Sequence, residues 1–203
     1  MRKYLFLLLF VVIAVRGESQ ITKVTDNPPY TGAELDKYCS NPKRLLVIVT
    51  KLGVMKIQLF DKIAPNHVAQ ITKLAQAHMY DSTTFHRCMK DFMIQGGDPL
   101  SKDNDLSNDG TGGMGDKLKA EFSSVSHKRG VCSMARTNDP NSATSQFFIC
   151  HGSPTFLDKQ YTVWGQLVSG YDVMDKIEAL PRVQGDNPGK AAMMTKVYVE
   201  GGQ

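Results

Sequence analysis

The chain has 203 residues, of which 41% are hydrophobic and 22% are charged. These values are typical of one globular domain and exclude a collagen-like or mostly disordered chain. The formal net charge is +4, but Arg2, Lys3 and Arg16 lie in residues 1–17, which carry no acid, and the rest has 21 basic against 20 acidic residues. Because a nearly neutral chain has no general attraction for nucleic acid or anionic membranes, we expect neither as a partner.

The first 17 residues have the layout of a secretory signal peptide. A short basic start precedes an unbroken apolar run from Leu5 to Val15, and short side chains follow at a suitable cleavage position. The run is too short for a membrane-spanning helix, which needs about 20 residues, although an uncleaved anchor is the alternative. We predict a signal peptide over 1–17, passage through the secretory pathway to the ER lumen, the extracellular space or a periplasm, and no stable membrane insertion afterwards.

Four cysteines follow in the exported chain, and their pairing is open. Three pairings are possible, and the sequence does not choose among them. Wide spacing and mostly apolar neighbours favour buried free thiols at Cys39, Cys88, Cys132 and Cys150. No CxxC motif occurs, so neither a thioredoxin-type redox site nor a structural zinc site is supported.

Residues 18–42 are polar and interrupted by prolines, which predicts an N-terminal extension before a domain over 43–203. Two apolar stretches at 45–60 predict a β-hairpin with a short glycine-containing turn. Helical spacing of apolar residues predicts a helix from Pro65 to about 79. The later apolar runs predict strands at 84–88, 92–95, 131–135, 146–150, 162–168 and 194–199, and a second helix at 171–180. This pattern favours a closed or nearly closed antiparallel barrel with two helices.

Three motifs resemble functional sites, and we interpret each as structural. Residues 110–115 fit GxGxxG, but a polar loop precedes them instead of the buried strand that a dinucleotide site needs, so we expect a surface loop with glycines at positive φ. Residues 105–116 echo a calcium loop without its flanking helices, and their acids suit turns. The five histidines show no metal-binding spacing. We therefore predict no metal and no cofactor.

Several segments carry a family resemblance when they are taken together in order. They are FHR at 85–87, DFMIQGGD at 91–98, SMAR at 133–136, NSATSQFFI at 141–149 and FLDKQYTVWGQ at 156–166. These segments resemble the cyclophilins, and the resemblance runs from about Lys43 to Glu200. It implies a mainly β fold, a closed eight-stranded antiparallel β-barrel capped by two α-helices, with the site on its outer face. It also implies a peptidyl-prolyl cis/trans isomerase that acts on proline-containing polypeptides and assists the folding of secreted proteins.

The resemblance assigns roles position by position. Arg87 matches the catalytic arginine, and Gln95 matches the glutamine that braces it. The implied substrate-binding residues are Phe92, Met93, Phe148 and Leu157 for the proline ring, Phe156 and Tyr161 for an aromatic wall, and Gln146 with the Ala135-Arg136 backbone for the residues before proline. We expect Phe147, next to Phe148, to face the core, because neighbours in a strand point in opposite directions.

Three positions depart from the common family pattern. Phe156 stands where tryptophan is frequent, Tyr161 where histidine is frequent, and Arg136 where asparagine is frequent. The aromatic wall is kept, so the resemblance implies surviving isomerase activity, weakened cyclosporin binding and a changed substrate preference. We expect a monomer.

The residue types suit rotation of an X-Pro bond, which passes through a twisted amide whose nitrogen regains a lone pair. A donor aimed at that lone pair binds the twisted state better than either planar state. Arginine supplies such a donor with permanent charge, and no cofactor is required. Two alternatives remain open: a module that binds proline segments without turnover, and a calcium-binding adhesive protein built on 103–116.

Overall fold

The computed structural model describes residues 27–201, so the predicted signal peptide and residues 18–26 lie outside the described residues. The strands are β1 (Leu45–Thr50), β2 (Gly53–Leu59), β3 (Arg87–Met89), β4 (Met93–Gly96), β5 (Val131–Met134), β6 (Phe147–Cys150), β7 (Val163–Ser169) and β8 (Met194–Glu200). The α-helices are α1 (Gly32–Leu35), α2 (Pro65–Gln76) and α3 (Tyr171–Glu178), and single 3-10 turns lie at Pro99–Lys102, Thr155–Leu157 and Gly189–Ala192.

The eight strands form one antiparallel sheet in the order β3-β4-β6-β5-β7-β2-β1-β8, which confirms the mainly β prediction. The edge strands β3 and β8 do not pair with each other within the described residues. Main-chain bonds between the segment before β3 and the start of β8 join the two edges instead, from the Phe85 amide to the Ala192 carbonyl (3.0 Å) and from the Met194 amide to the Thr83 carbonyl (2.8 Å). The predicted barrel is therefore a curled sheet whose seam is closed by loop segments.

Local hydrogen bonds explain two shifted boundaries. The strand predicted from residue 84 starts at Arg87, because residues 82–85 bond to Ala192 and to Met194 at the start of β8. Helix α2 ends at Gln76 because His78 takes a left-handed conformation with φ +56°. The amide of Met79 then reaches the Leu74 carbonyl at 2.9 Å, and this pattern ends helices.

The sheet and helices enclose one core, and a second apolar cluster lies on the outer side of β4, β5 and β6. Helices α2 and α3 bury one face each against the inner core. Phe147 belongs to the inner core with Trp164, whereas Phe148 belongs to the outer cluster. The predicted opposite orientation of these two phenylalanines is confirmed.

All four cysteines are buried and unpaired, as the wide spacing predicted. Burial raises the pKa of the Cys88 thiol to about 12 and raises those of Cys132 and Cys150 further. The thiolate is the reactive form of cysteine, so these side chains act as small apolar core residues.

Residues 27–42, here called the N-terminal strap, pack against the outer cluster and contain α1, a third helix beyond the two predicted. Tyr30 is 3% exposed, and its ring packs against Tyr38 and Phe60. The Tyr30 amide donates to Gln166 Oε1 (3.1 Å), Gln166 Nε2 donates to the Tyr30 carbonyl (2.8 Å), and the Tyr30 hydroxyl donates to the Ser126 carbonyl (2.7 Å). The described part of the predicted extension is thus attached to the barrel.

Within residues 27–201, none of the helices combines the length and the apolar character that crossing a membrane requires.

Candidate active site

A pocket on the outer face of the sheet brings together most of the predicted site residues. Its lining consists of Arg87, Phe92, Met93, Gln95, Ala135, Arg136, Phe148, Leu157 and Tyr161. Strand register explains the assembly, because Arg87 stands opposite Gln95 between β3 and β4, and Gln95 stands opposite Phe148 between β4 and β6. Met93 shares the Gln95 face of β4, since alternate strand residues point the same way. Residues distant in the chain therefore meet on one side of the sheet.

The floor of the pocket is apolar and nearly closed to solvent. Met93, Phe148 and Leu157 are buried. The ring of Tyr161 meets Phe148 edge-on, with 5.7 Å between centroids, and forms the wall. An apolar hollow with a flexible methionine side chain suits a small saturated ring.

Phe156 is a predicted substrate-binding residue that does not line this pocket. Its side chain is outside the pocket lining, and the residue is 66% exposed. It packs on Phe92 with 5.7 Å between ring centroids, so it extends the rim of the pocket.

Arg87 lies at the open side of the pocket. Its side chain is 46% exposed, and Nε is 3.8 Å from Asp186 Oδ2. This separation is too long for a hydrogen bond, so the carboxylate attracts the guanidinium without occupying its donors. Since no hydrogen bond from the described part of the chain occupies them, the N–H groups of the side chain are available to a ligand in the pocket.

Gln95 differs from the expectation that it braces the arginine. Its Nε2 donates to Gln146 Oε1 at 2.9 Å, and within the described chain no hydrogen bond joins its amide to Arg87. The reason is that Gln146 lies beside Gln95 and accepts its N–H. Gln95 lies opposite Arg87 in the β3–β4 ladder and lines both the proline pocket and the groove beyond it.

Gln146 lies in that groove, here called the second pocket. The second pocket shares Gln95, Ala135 and Arg136 with the first and adds Gly110, Thr111, Gly112, Thr137, Ser142, Thr144 and Gln146. Gln146 Nε2 donates to the carbonyls of Gly110 (2.9 Å) and Gly112 (2.7 Å). The glycine-rich loop is thus a wall of the site, a role that the sequence analysis missed.

Asp98 holds this loop in place from beneath. Its buried carboxylate accepts hydrogen bonds from the amides of Gly110, Gly112 (3.1 Å) and Leu100 (2.8 Å). The predicted positive φ is confirmed at Gly110 (+90°) and Gly115 (+78°) but is wrong for Gly112 and Gly113, which do not have a positive φ. The presence of Asp98 at the end of the QGGD segment was the available signal, but the sequence does not show which amides it meets.

The calcium-like segment forms turns, as predicted. Asp105 accepts hydrogen bonds from the amide of Ser107 (3.0 Å) and from its hydroxyl, which is a local turn pattern. Among residues 27–201, no group of three or more histidine, cysteine, aspartate or glutamate side chains is arranged to hold a metal ion.

A buried histidine supports the pocket from behind. His127 stacks on Phe148, with 6.1 Å between ring centroids and 17° between the planes. Its Nδ1 is 2.9 Å from Asp158 Oδ1, and its Nε2 is 2.8 Å from the Ser133 hydroxyl. These contacts hold the imidazole ring of His127 in place, and that ring in turn supports Phe148. No local pattern around a lone histidine could have revealed them.

Stability should depend on pH through three buried histidines. Burial lowers the pKa of His67, His86 and His127, and this effect outweighs neighbouring carboxylates that raise it. Below the ordinary histidine value of about 6.5, the unfolded chain therefore binds more protons than the folded one. We expect the free energy of unfolding to decrease as the pH falls from 7.5 to 5.5, by at most about 1.4 kcal/mol per pH unit for each histidine. Denaturant titrations across this range would measure it, and equal stability at both ends would contradict it.

Comparisons with known proteins agree with this geometry. A family model described as cyclophilin type peptidyl-prolyl cis-trans isomerase/CLD matches residues 45–199. A probable peptidyl-prolyl cis-trans isomerase of Brucella suis biovar 1 is 41% identical over 152 residues, which cover 72% of this chain and 78% of that protein. Peptidyl-prolyl cis-trans isomerase-like 3 of Gallus gallus is 40% identical over 134 residues, 65% of this chain and 80% of that protein.

A solved structure has the same fold. The cyclophilin type peptidyl-prolyl cis-trans isomerase of Cryptosporidium parvum, crystallised in the presence of the dipeptide Ala-Pro, aligns with a TM-score of 0.70 and 28% identity over 78% of this chain and 99% of that one. The chain therefore belongs to the cyclophilin-type peptidyl-prolyl cis-trans isomerase family. It is an enzyme of that class, which confirms the resemblance drawn from the sequence.

Proposed function

We propose that Arg87 carries the isomerisation by donating a hydrogen bond to the prolyl nitrogen as the amide twists. The observation behind this proposal is the position of a guanidinium at the open side of an apolar pocket, with no carboxylate from residues 27–201 hydrogen-bonded to it. The planar amide nitrogen has no lone pair to offer, whereas the twisted one does, so the bond forms only in the transition state. No covalent bond is made or broken.

The apolar floor formed by Met93, Phe148 and Leu157 holds the proline ring in this proposal. Burying such a ring contributes roughly 1.5–3 kcal/mol. The residues before proline then lie towards the second pocket, where Gln146 and the Ala135-Arg136 backbone meet them. The Cryptosporidium parvum relative, crystallised in the presence of Ala-Pro, supports a proline-containing peptide as the ligand of this family.

The alternative is a module that grips proline segments without turnover, because it would use the same pocket. An exchange-NMR measurement of cis/trans interconversion on an X-Pro peptide separates the two. Uncatalysed interconversion takes tens of seconds or longer, and we expect catalytic amounts of the protein to accelerate it. Saturable binding without acceleration would identify a binding module.

The biological setting belongs to the same proposal. We propose that the chain enters the secretory pathway through its predicted signal peptide and assists the folding of proline-containing secreted proteins as a monomer. We also propose that cyclosporin binds weakly. Phe156, which is 66% exposed at the rim of the pocket, stands where the family often has tryptophan, and Tyr161 stands where histidine is frequent.

A further inference from the structure

Arg136 is a cation fixed at the junction of the two pockets, and it lines both. Its Nε and Nη2 each donate to the Gln160 carbonyl at 3.1 Å, and its Nη1 donates to the carbonyls of Thr137 (2.8 Å) and Asn138 (3.3 Å). The guanidinium also lies over the ring of Tyr161, 4.5 Å from the centroid. Four main-chain contacts and one ring contact hold the side chain in a single orientation.

The charge of Arg136 is not neutralised by the protein. All its acceptors are neutral carbonyls, and within residues 27–201 no carboxylate oxygen lies within 4.0 Å of it. Asp158, in the turn that also contains Gln160, directs its carboxylate to Ser126 (2.6 Å) and His127 instead. Asp139, in the loop after Arg136, accepts from the amide of Asn141 (2.9 Å). The positive charge therefore faces the groove.

The two pockets that Arg136 lines carry positive charge only. The linings of the proline pocket and the second pocket contain Arg87 and Arg136 and no acidic residue. The acidic residues Asp109 and Asp186 instead line a third pocket, which shares Arg87 and Gln95 with the proline pocket and Gln95, Gly110 and Thr111 with the second pocket. An acidic side chain bound beside Arg136 would thus meet a cation and no carboxylate from the lining of these two pockets.

We infer that Arg136 selects substrates with an acidic side chain on the residue that precedes proline. This inference rests on the proposed function, in which that residue lies between the proline pocket and the second pocket. A guanidinium has five N–H donors, of which the contacts above use four, so one Nη2 donor remains for a carboxylate. Because the cation is already held in place, little side-chain freedom is lost when the pair forms.

The test compares three peptides that differ only in the residue before proline: glutamate, glutamine or lysine. Exchange NMR gives kcat and KM for each without a helper protease. We expect kcat/KM to be about fivefold higher for Glu-Pro than for Lys-Pro, the ratio that a partly exposed ion pair supports, and we expect the difference to lie in KM. Because salt screens exposed charges, about 0.5 M NaCl should reduce the ratio.

Variants separate charge from structure. Arg136→Gln should bring the Glu/Lys ratio close to one, whereas Arg136→Lys, which keeps the charge but not the fork, should retain part of it. Lys51→Gln removes an exposed charge from the β1–β2 turn, outside the site, and should leave the ratio unchanged. A ratio near one in the natural protein, or one that Arg136→Gln leaves intact, would overturn the inference. If no peptide is accelerated, the proposed function itself fails.

Discussion

Replacing Arg87 by alanine is expected to lower kcat/KM on an X-Pro peptide by about 10- to 100-fold, the value of one hydrogen bond to a charged group. The loss should appear mainly in kcat, because the bond forms only with the twisted amide. The fold should survive, since the side chain is 46% exposed and its closest carboxylate is 3.8 Å away. Exchange NMR measures the rate, and circular dichroism with thermal unfolding checks the fold.

Arg87→Lys is the matched control. Lysine keeps the charge but loses the planar fork, so its rate should lie between those of the natural protein and Arg87→Ala. Electrostatic attraction alone would give equal rates for arginine and lysine. Natural turnover by Arg87→Ala would show that this side chain is not the catalyst.

Asp98→Ala is expected to lower the free energy of unfolding by about 2–3 kcal/mol. The substitution leaves the amides of Leu100, Gly110 and Gly112 without their buried acceptor, and an unsatisfied buried donor is costly. The glycine-rich loop should then move away from Gln146, which raises KM. Chemical denaturation measures the first effect, and peptide kinetics measures the second.

Asp98→Asn provides the comparison for this loop. Asparagine keeps the size and one oxygen but turns an NH2 group towards some of the same amides, so the loss should be smaller than for alanine. Unfolding data that show no loss for Asp98→Ala would mean that the loop keeps its shape without the carboxylate. Unchanged KM alongside lost stability would separate the loop from substrate binding.

Periodicity was enough to predict the strands and the opposite faces of Phe147 and Phe148, because side-chain alternation is a local property of a strand. Family resemblance brought Arg87, Met93 and Leu157 into one site, and the structure places all three in the lining of one pocket. The site roles themselves stay predictions until the variants are measured.

Contacts between segments that are distant in the chain could not be predicted from the sequence. The stacking of His127 on Phe148 joins two residues 21 positions apart that share no local pattern. Likewise, Gln95 was assigned to Arg87 by position, whereas its amide meets Gln146, a choice made by side-chain rotamers on adjacent strands. For the same reason, the glycine-rich loop at 110–115, which Asp98 holds, was interpreted only as a surface loop.

The N-terminal strap limits how far the protein can be truncated before the barrel. The family model begins at residue 45, yet Tyr30 and Tyr38 pack against Phe60, and the main chain of Tyr30 supplies hydrogen-bond partners to Gln166. A protein that began at residue 45 would expose the aromatic surface around Phe60. It would also leave the buried side-chain amide of Gln166, on β7, without its hydrogen-bond partners. Such a fragment should self-associate, so the piece before the barrel behaves as a covalently attached cover that any minimal version of this enzyme has to retain.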